Sequence, residues 1–166
     1  MRKVFYLLLA LFALAIMSCG KNDPQPDQIF RCKVNGADWK VQCLSDNPFN
    51  CDAIDCLYYL SDRGFEISAY NRNANQSIIF SCRSTIIGTN TIRYRPRAFK
   101  DFSINSNCGF YDLDTNKVHT LTILEIDTIN LRIKGEFEFE AFDDFKDCDS
   151  ARVTITEGYF DVRYRF

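Results

Sequence analysis

The stretch INLRIKGEFEFEA, residues 129–141, decides the fold class of this chain. Its apolar side chains fall on odd-numbered positions, from Ile129 to Ala141, and polar or charged side chains occupy the even-numbered positions between them. A period of two over this length predicts a β-strand with one buried face. Gly135 lies on the inward face at the midpoint, where we expect either a bend between two sheets or a close approach of neighbouring backbone.

The stretch FRCKVNGADWKVQC, residues 30–43, predicts a β-hairpin at the start of the folded part. Asn35-Gly36 lies between two alternating runs, and this pair favours a type I′ turn, which needs positive φ at both positions. With the turn there, Cys32 faces Trp39 across the hairpin and the apolar side chains share one face. Turn chemistry and hydrophobic pattern therefore give the same register.

The C-terminal strand shows a break in its alternation. Val153 and Ile155 are apolar on odd positions, whereas Phe160 to Phe166 are apolar on even positions, so we expect a β-bulge at Gly158. Weaker strands are predicted at 57–60, 65–70, 76–83, 98–104 and 119–126, with a tight turn at 126–130. About nine strands with short turns and no helical period predict an all-β protein, an antiparallel β-sandwich or a closely related open barrel.

The N-terminus is typical of an exported lipoprotein. A basic start is followed by residues 4–16 without a charge. As a helix this run spans about 20 Å, too short for a hydrocarbon core of about 30 Å, so residues 1–18 are interpreted as a signal peptide. Ile16-Met17-Ser18-Cys19 resembles the lipobox of bacterial lipoproteins, and this resemblance implies lipidation of Cys19. Residues 19–27 would be the lipidated end and a flexible linker, and residues 28–166 a single domain.

Location and charge limit the classes of partner. Gly20 is not the aspartate that retains enterobacterial lipoproteins at the inner membrane, so the outer membrane is the preferred location, with its periplasmic or surface face left open. Removal of residues 1–18 takes away two of the 20 basic residues, which leaves 18 against 22 acidic ones and a net charge of −4. This acidic balance argues against a nucleic-acid partner.

Seven cysteines remain after Cys19. An exported protein meets an oxidising compartment, so disulfides are expected, and the odd number leaves at least one cysteine without a partner in the chain. We expect Cys51 and Cys56 in a cysteine-rich loop into which Cys43 pairs, with the other connections open. A zinc site is disfavoured because the chain has one histidine and lacks a CxxC motif. The disulfide candidates are Cys32, Cys43, Cys51, Cys56, Cys82, Cys108 and Cys148.

Five motifs together resemble an uncharacterised family of small all-β envelope lipoproteins of the Bacteroidota. They are KVNGADW (33–39), FEISAY (65–70), GTN (88–90), LTILEIDTINLRIKGEFEFEA (121–141) and VTITEGYFDV (153–162). The resemblance covers residues 28–162 and implies an all-β envelope lipoprotein without assigning catalytic residues. The seven further cysteines depart from that pattern and suggest a specialised variant.

An acidic stretch between the two long strands is the candidate for metal binding or catalysis. Asp143, Asp144, Asp147 and Asp149 could bind Ca²⁺ or act as the acid and base of a glycosidase. Because EF-hand spacing is missing, a solvated acidic loop is the preferred interpretation. His119 is interpreted as a structural surface residue, since no GxSxG motif accompanies it.

Aromatic and basic side chains are the candidates for ligand binding. Tyr58, Tyr59 and Tyr70 could offer flat rings to sugars, with edge packing as the preferred interpretation. Arg93, Arg95 and Arg97 could pair with phosphates or acidic glycans, with a solvated turn as the preferred interpretation.

The sequence therefore predicts a non-catalytic binding or accessory module, held at the outer membrane by its N-terminal lipid. The expected partner is a glycan or an envelope protein, and no cofactor is expected. Two alternatives remain: an envelope hydrolase or metal-dependent enzyme that uses residues 143–149, and an inhibitor that presents a cysteine-braced loop at residues 46–55.

Overall fold

The computed structural model describes residues 28–43, 53–61, 63–83, 85–93, 98–101, 108–143 and 152–166. These residues contain twelve β-strands and no helix. The strands are β1 (Ile29–Val34), β2 (Ala37–Lys40), β3 (Ile54–Tyr59), β4 (Gly64–Asn71), β5 (Gln76–Cys82), β6 (Gly88–Asn90), β7 (Ile92–Arg93), β8 (Phe99–Asp101), β9 (Phe110–Leu113), β10 (Thr120–Asp127), β11 (Arg132–Phe142) and β12 (Arg152–Arg163). A helix capable of crossing a membrane is thus missing from the described part of the chain.

The strands form a strongly curled antiparallel sheet in the order β2-β1-β12-β11-β9-β8-β5-β4-β3. β10 pairs with β11 and β6, and β7 pairs with β5. The curl produces a first layer around β1, β12 and β11 and a second layer around β3, β4 and β5, and β9 pairs with a strand of each. The predicted all-β fold, an open barrel or sandwich, is confirmed.

Aromatic side chains fill the core between the two layers. Phe80 on β5 contacts Phe137 on β11, with ring centroids 4.6 Å apart. Phe65 on β4 contacts Phe160 on β12 at 6.0 Å. All four side chains are buried, and tilted pairs at these separations are favourable beyond the area they bury.

The alternation that predicted the long strand is present in β11. The inward side chains are buried, namely Ile133, Phe137, Phe139 and Ala141. A Cβ atom at Gly135 would lie 2.5 Å from Cζ of Phe160 and 2.6 Å from the carbonyl oxygen of Thr122. Of the two roles expected for this glycine, the close approach is the observed one.

The predicted start of the long strand is wrong. Ile129 is 90 % exposed and lies in a turn rather than on the inward face. Oδ1 of Asp127 accepts hydrogen bonds from the backbone N–H groups of Ile129 at 2.9 Å and Asn130 at 3.0 Å. The turn continues through Leu131, whose φ is 53°, so β11 begins three residues later than predicted, at Arg132.

The hairpin has the predicted turn and register. Asn35 and Gly36 have φ values of 51° and 81°. Cys32 lies opposite Trp39, and both side chains are buried. Local turn chemistry was therefore sufficient to place both strands.

β12 contains the predicted bulge beside Gly158. The register between β11 and β12 shifts between Phe137 and Phe139, so two residues of β12 oppose one of β11. Glu157, at the bulge, has a φ of 52°. The residues expected inward on both sides are buried, except Phe166, which is 65 % exposed and corrects that part of the prediction.

Three strands were not predicted: β6, β7 and β9, with three, two and four residues. Runs this short contain too little alternation to be recognised. The strand expected at 98–104 is described only as β8, since residues 102–107 lie outside the described part.

Three cysteines correct the expected disulfide framework. Cys32 and Cys56 are free thiols buried in the core, and Cys82 is buried there as a thiol that donates a hydrogen bond to Oδ1 of Asn90 at 3.9 Å. Cys56 lies within β3 rather than in the cysteine-rich loop predicted for it. Burial raises the pKa of Cys32 to about 12 and also raises the pKa of Cys56.

Two other cysteines are oxidised. Cys43 and Cys108 are disulfide-bonded. Cys51 and Cys148 lie outside the described residues, so the predicted pairing of Cys43 into the Cys51 region stays a prediction.

Candidate functional site

The described part of the acidic stretch has a structural role. Asp143 is buried, and its Oδ2 accepts a hydrogen bond from the backbone N–H of Gly109 at 3.0 Å. This contact ties the end of β11 to the start of β9. Asp144, Asp147 and Asp149 lie outside the described residues. Within the described ranges, no cluster of three or more potential metal ligands is found.

The three candidate tyrosines do not form one surface. The ring of Tyr58 packs against Tyr164 and Phe166, at 5.2 and 5.9 Å, and Tyr59 beside it is 41 % exposed. Tyr70 lies about 20 Å further along β4, at the rise of an antiparallel strand, and its ring is covered by a guanidinium group at 5.2 Å. Tyr58 is thus an edge-packing residue.

The remaining candidates are dispersed. Arg93 is exposed on β7, whereas Arg95 and Arg97 lie outside the described residues. His119 is half-buried just before β10, and its Nδ1 has no hydrogen-bond partner within the described part of the chain. Of the proposed inhibitor loop, Ala53 is buried and residues 54–55 belong to β3, while residues 46–52 lie outside the described part.

A groove of about 820 Å³ crosses the outer face of the first layer, over β2, β1, β12, β11 and β10. Pairing across these strands places the outward side chains in rows. One row contains Lys40, Arg31, Tyr159, Glu136 and Thr122, each directly opposite the next. Directly opposed side chains lie about 5 Å apart, so this row forms a continuous polar floor.

A second row runs beside the first. It contains Asp38 and Lys33 on the hairpin, Glu157 at the bulge, and Glu138 and Thr120 beyond it. The bulge aims Glu157 towards the hairpin, where its Oε1 lies 2.6 Å from Nζ of Lys33. The hydrogen bond and charge of Glu157 raise the pKa of Lys33, which therefore stays protonated across the neutral range.

The two sides of this cross-strand groove have opposite charge. The basic side lies on the hairpin and the acidic side on the bulged strand pair. The basic side has three cations against one carboxylate, and the acidic side has three carboxylates. They are Arg31, Lys33 and Lys40 with Asp38 on the first side, and Glu136, Glu138 and Glu157 on the second. Between them, the guanidinium of Arg31 lies 5.6 Å from the ring centre of Tyr159, a cation–π distance that holds the ring in place.

The groove lining offers several kinds of polar group. Its lining in the described residues contains neither histidine nor serine. Its thiol, Cys32, is buried, and a pKa of about 12 keeps it protonated at neutral pH, so it is a poor nucleophile. What remains are charged groups, hydroxyl groups and the partly exposed ring of Tyr159, since the other two aromatic residues of the lining, Trp39 and Phe137, are buried.

Sequence reasoning missed every residue of this groove as a binding residue, and it named Cys32 only as a disulfide candidate. The alternating pattern did place Glu136 and Glu138 outward, and the hairpin did place Arg31, Lys33 and Lys40 outward. What was missing was the position of β1 beside β12, which brings the hairpin to the long strand. This pairing joins residues from the two ends of the chain and leaves no local signal.

Fold and groove together define an all-β protein with a polar, cross-strand groove. No protein-family model, curated protein or solved structure matches this chain. Function is therefore inferred from the groove and from the chain itself.

Proposed function

We propose that this protein is an outer-membrane lipoprotein of the Bacteroidota type, anchored through Cys19, whose β-sandwich is a non-catalytic module that binds a glycan in the cross-strand groove. The observation that carries this proposal is the groove, with its opposed basic and acidic sides and a tyrosine ring between them.

A sugar is the ligand class that suits this arrangement. Each sugar hydroxyl can donate a hydrogen bond to a carboxylate and accept one from an ammonium or guanidinium group. Tyr159 adds an apolar ring with a hydroxyl at its edge, which suits the mixed faces of a sugar ring. The volume of about 820 Å³ lies within the range of small-molecule sites, about 300–1,000 Å³, and accommodates several sugar units.

A folded protein partner is less favoured by the same surface. The centre of a protein–protein interface is depleted in charged residues and enriched in aromatic ones. This groove has seven charged side chains around one tyrosine. Its polar character therefore favours a hydroxyl-rich ligand over a protein surface.

The first test screens the purified, full-length, detergent-solubilised protein against an array of bacterial and host glycans. We expect binding to a small set of related oligosaccharides. A uniformly negative array, with the protein shown to be folded by circular dichroism, would contradict the glycan proposal.

Two matched variants locate the site. Tyr159→Leu removes a ring that lies beneath Arg31 in the groove, and Tyr70→Leu removes a ring that lies beneath Arg72 on the second layer. We expect affinity for the array hit to fall at least about tenfold in Tyr159→Leu, since ring stacking and a hydroxyl are lost, and to stay unchanged in Tyr70→Leu. The reverse result would move the site to the second layer.

The anchor is tested separately. Mass spectrometry of the N-terminal peptide from the membrane-extracted protein should show the diacylglyceryl group on the sulfur of Cys19, and Cys19→Ser should lose it. Two or more acyl chains give stable attachment, so the wild-type protein should stay with membranes through washing while this variant does not mature. An unmodified Cys19 in the mature protein would overturn the lipoprotein assignment.

A further inference from the structure

Exposed apolar side chains are concentrated at one end of the sandwich. Of nine large hydrophobic side chains exposed within the described ranges, six form what is here called the apolar rim: Tyr59, Leu60, Ile86, Ile87, Ile129 and Phe166. Ile29 and Leu124 flank the rim at 43 % and 46 % exposure. The ninth, Val118, lies just before β10, whereas the rim lies beyond the other end of that strand.

Hydrogen bonds show that the rim segments of the two layers meet. In the second layer, the backbone N–H of Thr85 donates to the carbonyl oxygen of Arg63 at 2.9 Å, which joins the segment of Ile86 to the β3–β4 turn. Gly88 then pairs with Ile123 of β10 in the first layer. Arg63, residues 85–88 and the end of β10 are therefore neighbours.

The other side of the rim is joined in the same way. The backbone N–H of Tyr164 donates to the carbonyl oxygen of Leu131 at 2.8 Å, so the C-terminus lies against the turn that contains Ile129. The ring of Phe166 contacts Tyr58 at 5.9 Å, which returns to the start of the β3–β4 turn. The exposed apolar residues thus surround one end of the molecule.

The described chain starts at this same end. Oε1 of Gln28 accepts a hydrogen bond from the backbone N–H of Arg163 at 3.2 Å. The eight residues 20–27 that separate Gln28 from Cys19 reach at most about 28 Å when fully extended. The twelve residues of β12 span roughly 40 Å, which is longer than this linker can reach. A lipid on Cys19 would therefore not allow the opposite end of the molecule to lie on the membrane.

We propose that the apolar rim rests on the lipid bilayer that holds the protein, with its side chains in the headgroup region. This inference depends on the proposed lipid anchor at Cys19, which sets the end that faces the membrane. Isoleucine, leucine, phenylalanine and tyrosine side chains are suited to the boundary between headgroups and acyl chains. The protein then stands upright, with the cross-strand groove on its side wall.

Electrostatics at this end agree with a bilayer as the partner. Three acidic side chains near the rim are in ion pairs: Asp55 with Arg165 at 3.0 Å, Asp161 with Arg132 at 2.5 Å and Glu125 with Lys134 at 2.6 Å. A fourth, Asp127, accepts hydrogen bonds within its own turn. Arg63 and Arg83 are exposed beside the rim and would attract anionic headgroups.

The test measures depth with a matched pair of probes. Ile129 is 90 % exposed in the rim and Val118 is 88 % exposed away from it, so Ile129→Trp and Val118→Trp both place an indole on the surface without disturbing the core. The natural Trp39 is buried and gives a constant background that is measured in the unsubstituted protein. Each full-length, membrane-extracted protein is reconstituted in phosphatidylethanolamine–phosphatidylglycerol vesicles in which part of the lipid is brominated.

Contact of the rim with lipid predicts unequal quenching. We expect brominated lipid to quench about half or more of the added fluorescence in Ile129→Trp, because its indole would lie about 5–10 Å deep in the bilayer. In Val118→Trp we expect quenching of about a tenth or less, because its indole would stay in water. Equal quenching, or none, in protein whose Cys19 is shown by mass spectrometry to be lipidated would overturn the rim proposal and leave the anchor standing.

The remaining outcomes separate the two proposals. Protein without lipid on Cys19 that still shows selective quenching at position 129 supports the rim and overturns the anchor. Protein without lipid and without quenching overturns both. If the rim is covered by a second copy instead, position 129 is unquenched in vesicles and sedimentation in detergent gives a dimer, which also overturns the bilayer proposal.

Discussion

Gly135 and Phe160 form one packing unit across β11 and β12. They are direct cross-strand partners, and the Phe160 ring occupies the space in which a side chain at position 135 would lie. The ring is fully buried and also contacts Phe80 of the second layer at 6.0 Å. A missing side chain on one strand thus allows a large one on the next to reach across the core.

Gly135→Ala should therefore destabilise the protein strongly. The new methyl group would clash with Cζ of Phe160 at 2.5 Å and with the backbone oxygen of Thr122 at 2.6 Å. We expect a loss of about 2–4 kcal/mol in the free energy of unfolding, because an overpacked core must move both ring and backbone. Gly36→Ala is the control, since its Cβ meets nothing within 4 Å and only its positive φ costs about 1 kcal/mol. Guanidinium denaturation giving equal losses for the two variants would contradict the packing explanation.

The buried thiols give a second test at the scale of single residues. Cys32 lies in the core with its pKa raised to about 12 by burial, and Cys56 and Cys82 are buried thiols as well. Because the thiolate is the reactive form, we expect these cysteines to resist iodoacetamide in the folded protein at pH 8 and to react fully in denaturant. Mass spectrometry after trypsin digestion checks each site. Modification of Cys32 at the rate of a free peptide thiol in folded protein would place it outside the core.

At the scale of elements, one polar chain attaches the hairpin to the second layer. Nε1 of Trp39 on β2 donates to Oε1 of Gln76 on β5 at 3.0 Å, and Nε2 of Gln76 donates to Oδ2 of Asp101 on β8 at 2.9 Å. The Trp39 ring also packs edge-on against Phe30 at 5.9 Å. The indole thus supplies apolar contact to its own layer and a hydrogen bond to the other.

Gln76→Ala should loosen the hairpin without unfolding the sheet. The half-buried indole N–H would lose its acceptor, at a cost of about 1–2 kcal/mol, and β2 would lose its side-chain link to β5. We expect faster amide hydrogen exchange in β2 and unchanged exchange in β11. Gln42→Ala is the control, because Gln42 makes only a longer, exposed side-chain contact with Asn73 at 3.4 Å. Equal effects of both variants on β2 would show that the Trp39–Gln76 contact does not hold the hairpin.

Elements specified by neighbouring residues could be predicted from the sequence. Asn35-Gly36 defined its hairpin, and the change of phase around Gly158 defined its bulge, because both signals lie within the paired segments. Ile129 was misplaced because the side chain of Asp127 competes with strand pairing for the next backbone N–H groups. Period two alone cannot show where such a turn ends.

At the scale of the whole molecule, neither the groove nor the burial of Cys56 and Cys82 could be predicted. Both depend on strand order, which pairs β1 with β12 and brings Arg31 of the hairpin opposite Tyr159. Disulfides were expected because an exported protein meets an oxidising compartment. Cys56 and Cys82 instead take inward positions on strands and act as small apolar side chains. Pairings between the ends of a chain are decided by the assembled core rather than by local pattern.

The C-terminal tail holds the last strand of the curled sheet against the first layer. β3 is the last strand in the order, and the backbone N–H of Tyr58 on it donates to the carbonyl oxygen of Arg165 at 2.7 Å. The N–H of Arg165 donates in return to the carbonyl oxygen of Cys56 at 2.9 Å. Tyr164 is buried beside them, with its ring 5.2 Å from that of Tyr58. The tail therefore connects β12 in the first layer to the edge of the second.

Deletion of residues 164–166 should open this edge of the sandwich. The loss of one buried tyrosine and three backbone hydrogen bonds, two to β3 and one to Leu131, should lower the free energy of unfolding by about 3–5 kcal/mol, and amide exchange in β3 should rise most. Phe166→Ser is the matched control, because that side chain is 65 % exposed and the variant keeps all three backbone hydrogen bonds, so its cost should stay below about 1 kcal/mol. If the truncated protein matches Phe166→Ser in denaturation midpoint and in β3 amide exchange, the curled sheet does not depend on its tail. The core contact between Phe65 and Phe160 would then have to hold the two layers together at this edge by itself.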